Sequence, residues 1–326
     1  MHLLDRPTPL KFALDHTFYP QYCTGSTPTE ISRSLETLSS LDLGVILHYA
    51  REASETDTTP QLDLWLSGTL RTIGLTPEGD YAAIKFTGIG NCSDALHNSL
   101  PPTPEIADAL KQVCALAKKR GVKVLVDAEH LALQPGIDAW TRELMKEYNT
   151  DSAVVWNTYQ MYLRRSPAVL AADMAFAKQH NVVLGAKIVR GAYMGSDPRE
   201  AMCASKADTD AAYDAAIETV LRVKRTEVMV ATHNRASTMR AREVARGVGR
   251  KVTYAQLLGM ADELSLEVTG LGERCVKYAV WGSTRECVDY LLRRVEENSD
   301  VSGRGQEEFW ALWGEVKRRM GMGANA

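Results

Sequence analysis

No two of the six cysteines (Cys23, Cys92, Cys114, Cys203, Cys275 and Cys287) form a C-x-x-C pair. That scatter argues against a zinc ribbon and against a disulfide framework. Reduced thiols in an intracellular compartment are the simplest account. No run of about 18 apolar residues occurs, so no membrane-spanning helix is expected. No long basic run occurs either, and a net charge of −3 over 326 residues gives no footprint of a nucleic-acid binder. The opening MHLLDRPTPLKFALDH has neither the apolar core of a secretion signal nor the look of a long Arg/Ser-rich transit peptide. No nucleophile elbow surrounds a Ser or Cys, and no His-rich cluster suggests a metal. What is present is an apolar fraction of 45%, ample for the core of one large domain or two.

Residues 1–29 read as irregular, with Pro7, Pro9, Pro20 and Pro28 spread through them. Residues 30–75 read as helices. Thr29 or Ser32 is the expected cap, and apolar residues recur at Ile31, Leu35, Leu38, Leu41, Val45 and Leu47. From residue 81 short apolar runs alternate with helical stretches. The expected strands are 81–89, 122–128, 153–159, 182–189, 228–233, 251–257 and 274–280. Such alternation implies a mainly parallel α/β sheet. Seven strands are countable and an eighth has no evident place. No G-x-G-x-x-G follows the first strand, which favours a (β/α)8 barrel over an open dinucleotide-binding sheet. The expected division is an irregular and helical arm over 1–80 and a barrel over 81–326.

A barrel gathers its chemistry where the strands end. Here those ends carry polar groups: Lys85; Asp127 and Glu129; Asn157, Thr158, Tyr159 and Gln160; Lys187, Arg190 and Tyr193; Thr232, His233 and Asn234; Gln256; Tyr278. Each has a structural explanation of its own, such as a helix cap or a satisfied core histidine. Seven unrelated structural needs are harder to credit. The segment 284–298 adds a two-faced helix. Val288, Leu291, Leu292 and Val295 recur on one face, and Tyr290, Arg293, Arg294 and Glu297 on another. With Lys85, Lys187 and Arg190, the paired arginines make five cations at one end, a setting for anionic ligands. Many positioning groups without a nucleophile suit a site whose cofactor does the chemistry.

The ordered set VLVDAE, NTYQ, KIVRGAY, ATHN, QLLGM and YLLRRVEEN resembles the proline dehydrogenases, from about residue 85 to 298. The early segment FALDHTFYPQYCTGST resembles the entry segment of the eukaryotic branch. The resemblance implies a distorted (β/α)8 barrel whose final helix lies over the mouth. It implies oxidation of L-proline to 1-pyrroline-5-carboxylate by hydride transfer from substrate C5 to N5 of FAD, with a quinone reoxidising the flavin. By position, Arg293 and Arg294 with Lys85 would hold the carboxylate. Tyr193, Leu257, Tyr278 and Tyr290 would enclose the ring, and Asp127 would orient the cationic and phenolic groups. Asn157, Lys187, Arg190, Gly191, Ala192, Thr232, His233, Asn234, Gln256 and Glu297 would hold FAD. No metal is implied, and the location would be mitochondrial or otherwise cytoplasmic.

Two positions depart from the family pattern beside the lid, where relatives have proline: Val280 and Asp289. These leave the exact substrate more open than the cofactor. A related cyclic amine, hydroxyproline, a Schiff-base (β/α)8 lyase on Lys85 or Lys187, and a non-catalytic flavin- or proline-binding descendant are the alternatives. The amphipathic stretch 306–320 is expected to dock on the barrel or the N-terminal helices, with peripheral membrane contact as its other reading.

Overall fold

The computed structural model describes residues 9–50 and 61–300. Nine strands form one parallel sheet: β1 (Cys23–Gly25), β2 (Leu43–Tyr49), β3 (Tyr81–Ile84), β4 (Lys123–Val126), β5 (Val155–Gln160), β6 (Leu184–Val189), β7 (Thr226–Ala231), β8 (Thr253–Leu257) and β9 (Arg274–Trp281). Strands β2 to β9 pair in sequence order, and β9 returns to both β8 and β2, so eight strands close into a barrel. The short β1 adds to β9 at its C-terminal end, through Cys23 opposite Val280.

The missing eighth strand is β2. It lies in the segment that reads as helical, because Val45 and Leu47 prolong the helical spacing of Leu38 and Leu41. Packing overrides that spacing. Residues 43–49 are buried or half-buried on both faces, and all seven pair with β9. The expected boundary at residue 80 therefore does not separate an arm from the barrel. The first 29 residues also hold regular structure, with α1 (Pro9–His16), α2 (Phe18–Tyr22) and β1.

Around the barrel run α3 (Pro28–Ser40), α4 (Gln61–Leu75), α5 (Ser93–His97), α6 (Pro104–Arg120), α7 (Gln134–Tyr148), α8 (Ser166–His180), α9 (Lys206–Leu221), α10 (Arg235–Gly247), α11 (Asp262–Gly270) and α12 (Thr284–Asp300). Their ends follow local chemistry. Thr27, not Thr29 or Ser32, caps α3, with Glu30 completing a capping box and Pro28 in the first turn. Gly121 ends α6 in the left-handed region, and Asn181 does the same for α8.

Side-chain alternation sorts the barrel into two cores. Ile46, Tyr81, Ala83, Leu125, Trp156, Met229, Ala255 and Val276 fill the interior. The alternate residues, among them Val45, Ala82, Val124, Tyr159 and Tyr254, pack beneath the helices. A third cluster lies under α12, where Tyr22, Cys23, Val280, Cys287, Tyr290 and Leu291 meet. It binds the N-terminal segment and the last described helix to the end of β9.

Candidate active site

The interior parity fixes which strand-end residues face the mouth. Asp127 follows Leu125 on β4, Lys187 lies on β6, and Tyr278 follows Val276 on β9. They meet. Lys187 Nζ donates to Asp127 Oδ1 at 2.9 Å, and the Tyr278 hydroxyl donates to Asp127 Oδ2 at 2.6 Å. The Lys187 ammonium also lies 5.0 Å from the centre of the Tyr278 ring. Asp127 and Lys187 are both buried. Burial works to raise the Asp127 pKa, but the Lys187 cation, then His48 and the two hydrogen bonds, hold the carboxyl below its ordinary range. Tyr278 moves the other way. Burial first, then the Asp127 charge and its hydrogen bond, push the phenol well above its usual value.

Glu129, two residues beyond Asp127, accepts from the Thr87 backbone N–H at 3.2 Å and from the Thr87 hydroxyl. Burial raises its pKa, opposed by those bonds and by Lys85. Tyr193 packs on the His130 ring with centroids 4.2 Å apart. Burial raises its pKa as well, while the Lys85 and Arg293 charges lower it.

The last of these groups comes from α12, whose inward stripe is Cys287, Tyr290, Leu291 and Arg294. The expected apolar face does not form as such, since Leu292 is 55% exposed. The mixed face is the buried one. Arg294 is 5% exposed, with its guanidinium 4.7 Å from the centre of the Tyr290 ring. Arg293 is half-buried. Arg293 acts on Tyr193 beyond β6, and Arg294 acts on His233 beyond β7. The helix therefore brings both arginines to the mouth.

On the β6–β7 side, Arg190 donates to Asp210 at 2.7 Å, to the Thr232 hydroxyl at 2.7 Å and to the Ser237 hydroxyl at 3.0 Å. Asn234 caps α10 by accepting from Ser237 N–H at 3.0 Å. Gly191, at φ +144, sits where an added Cβ would lie 1.7 Å from the Tyr162 ring. Ala192 N–H donates to Gln160 Oε1 at 3.2 Å. His233 Nε2 accepts from Leu257 N–H at 3.1 Å, which requires the neutral ring. The residue is exposed at the surface, and desolvation of its ring with the Lys277 and Arg294 charges pushes its pKa down to about 4.

Two expected ligand residues face away. Asn157 shares the outward parity of Val155 and Tyr159, and its amide donates to Asp138 of α7 at 3.0 Å. Gln256 shares the outward parity of Tyr254, and its oxygen accepts from Ser265 of α11 at 3.0 Å. The inward residues are Gln160 on β5 and Leu257 on β8. Glu297 lies outside the residues whose side chains are described.

Three residues at this end of the barrel carry no sequence-based assignment. Gln160 holds the turn after β6 through Ala192 and donates to Glu129 O at 3.0 Å. Counting inward from Trp156 finds it. His48 ends β2, so it stays hidden while that strand reads as helix. Lys277, 1% exposed on β9, donates to Met260 O at 2.8 Å and pairs with Asp262 at 2.7 Å. It pins the loop that carries Leu257, and nothing in the sequence marks it.

The sequence profile of the proline dehydrogenase family matches residues 31–307. The carbapenem antibiotics biosynthesis protein CarD of Pectobacterium carotovorum subsp. carotovorum is 31% identical, over 97% of this chain and 88% of that protein. Mitochondrial proline dehydrogenase 1 of Bos taurus is 36% identical, over 65% of this chain and 38% of the bovine one. Among solved structures, proline utilization A (PutA) from Bdellovibrio bacteriovorus, inactivated by N-propargylglycine, superposes with a TM-score of 0.77 at 19% identity. That match covers 86% of this chain and 32% of the PutA chain, and shows the shared fold. On the profile match and the 31% identity over nearly its whole length, the chain belongs to the proline dehydrogenase family.

Proposed function

We propose that this protein oxidises L-proline to 1-pyrroline-5-carboxylate with FAD as its cofactor. The observation that carries the reading is the buried Arg294 guanidinium on the inward stripe of α12, with Arg293 beside it, at the mouth that holds the Asp127–Lys187–Tyr278 network. The donor set suits an anionic dinucleotide. Lys85, Lys187, Arg190, Arg293 and Arg294 gather at this end, with Lys187 and Arg190 paired to Asp127 and Asp210. Arg190 and the turn residues Gly191, Ala192, Thr232, His233 and Asn234 would hold FAD along the β6–β7 side, with Lys187 toward its ring. Bound FAD supplies the two-electron acceptor.

The remaining work falls to the chain's own side chains. Arg293 and Arg294 offer paired donors that match a carboxylate, assisted by Lys85. Tyr193, Leu257, Tyr278 and Tyr290 enclose an apolar ring. Tyr278 is held in place by Asp127, and its phenol leaves little room for a ring hydroxyl, which favours proline over hydroxyproline. Holding the ring in one pose replaces a costly encounter with a prepared one. Lys187 is ion-paired to Asp127, so it lacks the acid-free surroundings of a Schiff-base lysine. A quinone acceptor, peripheral membrane contact and a mitochondrial location belong to the same reading. Relatives named as mitochondrial proline dehydrogenases support the location.

The test is spectroscopic. Purified protein is expected to carry flavin absorbance that bleaches anaerobically on addition of L-proline. Arg294→Lys should lower kcat/KM for L-proline by about 10- to 100-fold, the worth of a hydrogen bond to a charged group. A colourless protein that FAD does not reconstitute would overturn the proposal.

A further inference from the structure

Lys277 is 1% exposed, on the outward parity of Cys275 and Ala279 beneath α11. The same layer holds Leu264 and Val268 of α11. An ammonium there gives up its hydration, and apolar replacements of buried ion pairs are often neutral or stabilising. Stability is therefore a weak reason for this charge, and its contacts supply a better one. An ammonium has three donors and no acceptor. Lys277 Nζ donates to Met260 O at 2.8 Å, more weakly to Leu257 O at 3.5 Å, and pairs with Asp262 Oδ1 at 2.7 Å. All three acceptors belong to one turn, residues 257–262, between β8 and α11.

That turn has an uncommon backbone. Gly259 has φ +74 and Ala261 has φ +52, a left-handed value that is costly for a residue with a Cβ. A Cβ at Gly259 would lie 2.3 Å from Gln21 O, so the turn also runs against α2. Such a backbone persists where its surroundings fix it. Leu258 N–H donates to Tyr278 O at 2.9 Å, and Lys277, the residue before Tyr278, supplies the other tie from β9.

Three parts of the site depend on this turn. Leu257, at its start, is one of the residues that would enclose the substrate ring. Its N–H donates to His233 Nε2 at 3.1 Å. A main-chain N–H can only donate, so the neutral His233 ring carries its proton on Nδ1. Met260 packs on the cluster under α12 that includes Tyr290. The turn thus joins the ring site, the cofactor side and the helix that carries the arginines.

We infer that Lys277 is a positioning residue for L-proline oxidation: through the 257–262 turn it seats Leu257 at the ring site, Met260 beneath α12, and His233 in the tautomer protonated at Nδ1. It touches neither substrate nor cofactor and acts on binding rather than on hydride transfer. The inference rests on the proposed proline oxidation.

The test uses flavin-loaded enzyme, L-proline and two variants. Lys277→Met keeps the length of the side chain and removes its donors. It should raise KM for L-proline about tenfold, the fold-change of one lost charge-assisted hydrogen bond. The limiting rate of anaerobic flavin reduction should stay within about twofold of wild type, because the groups around the reacting atoms are intact. Asp262→Ala removes the partner whose side chain is 64% exposed and leaves both carbonyl contacts, so KM should rise only about threefold. Nitrogen NMR of the His233 ring supplies a readout that a merely structural lysine would not move. Wild type should show Nδ1 protonated and Nε2 bare at neutral pH, and Lys277→Met should show a mixture of tautomers. An unchanged KM and an unchanged tautomer in Lys277→Met would overturn the inference while leaving proline oxidation intact, as would a wild-type ring protonated at Nε2. If Lys277→Met does not fold, an unchanged KM in Asp262→Ala overturns it. A wild type that L-proline does not reduce ends the oxidation reading and this inference with it.

Discussion

Asn157 and Gln160 stand three residues apart on β5 and serve opposite sides of it. The amide of Asn157 reaches Asp138, which also takes bonds from Gln134 at 2.9 Å and Arg165 at 3.1 Å. Gln160 reaches the turn that presents Ala192 and the backbone of Glu129. Asn157→Ala is expected to cost about 1–3 kcal/mol of stability, since it removes a buried donor to Asp138. Flavin content should hold. Gln160→Ala removes two hydrogen bonds of a buried side chain, so it should cost a comparable amount of stability and lower flavin retention as well. Denaturant midpoints and the flavin-to-protein absorbance ratio separate the two outcomes.

At the scale of an element, α12 decides whether the arginines are useful, and its first turn decides where α12 begins. Ser283 N–H and hydroxyl donate to Glu286 at 2.7 and 2.8 Å, and Glu286 N–H returns to Ser283. The other Glu286 oxygen accepts from Tyr49 of β2 at 2.8 Å. Tyr19 donates to Gly282 O, and Thr284 to Asp15. Gly282 has φ +145, a value that favours glycine at the sharp exit from β9. The helix start is thus fastened both to the barrel and to the N-terminal segment. Glu286→Ala removes the carboxylate half of the capping box and the Tyr49 tether together, a loss of about 0.5–2 kcal/mol. KM for L-proline should rise several-fold with a lower melting temperature. An unchanged KM would separate the cap from substrate binding.

For the whole molecule, closure depends on β2. A fragment of residues 81–326 would leave β9 and β3 without the strand between them, exposing two unpaired edges. It is expected to lose the cooperative melt of the full chain in circular dichroism. Stability should also carry a pH signature from His233. Its folded pKa of about 4 lies below the ordinary 6.5, owing first to desolvation and then to Lys277 and Arg294, and because the residue is exposed the signature should be small. Between those values the native state binds fewer protons than the unfolded one. The contribution is complete above pH 6.5 and is lost as pH falls toward 4. Urea midpoints at pH 7 and pH 5 should differ less in His233→Gln than in wild type.

Seven of the eight barrel strands are legible in the sequence, because each is an apolar run set off from the helical stretches beside it. So is the gathering of Lys85, Asp127, Lys187, Arg190, Tyr193, His233 and Tyr278 at one end, because strand ends are where a parallel barrel is open. Side-chain facing is not legible to that depth. A strand's parity is known only once an interior residue such as Trp156 anchors it, and a one-residue slip moves Asn157 or Gln256 to the other face. The eighth strand is hidden because local apolar spacing extends a helix through residues that neighbouring strands claim. The chain alone set the polar residues along the strands and the paired arginines that follow them. Tertiary packing decided that β2 closes the ring, that His48 joins Tyr278, and that the mixed face of α12 turns inward. Those outcomes depend on contacts between residues more than two hundred positions apart, as where Tyr49 meets Glu286, and no local pattern encodes them.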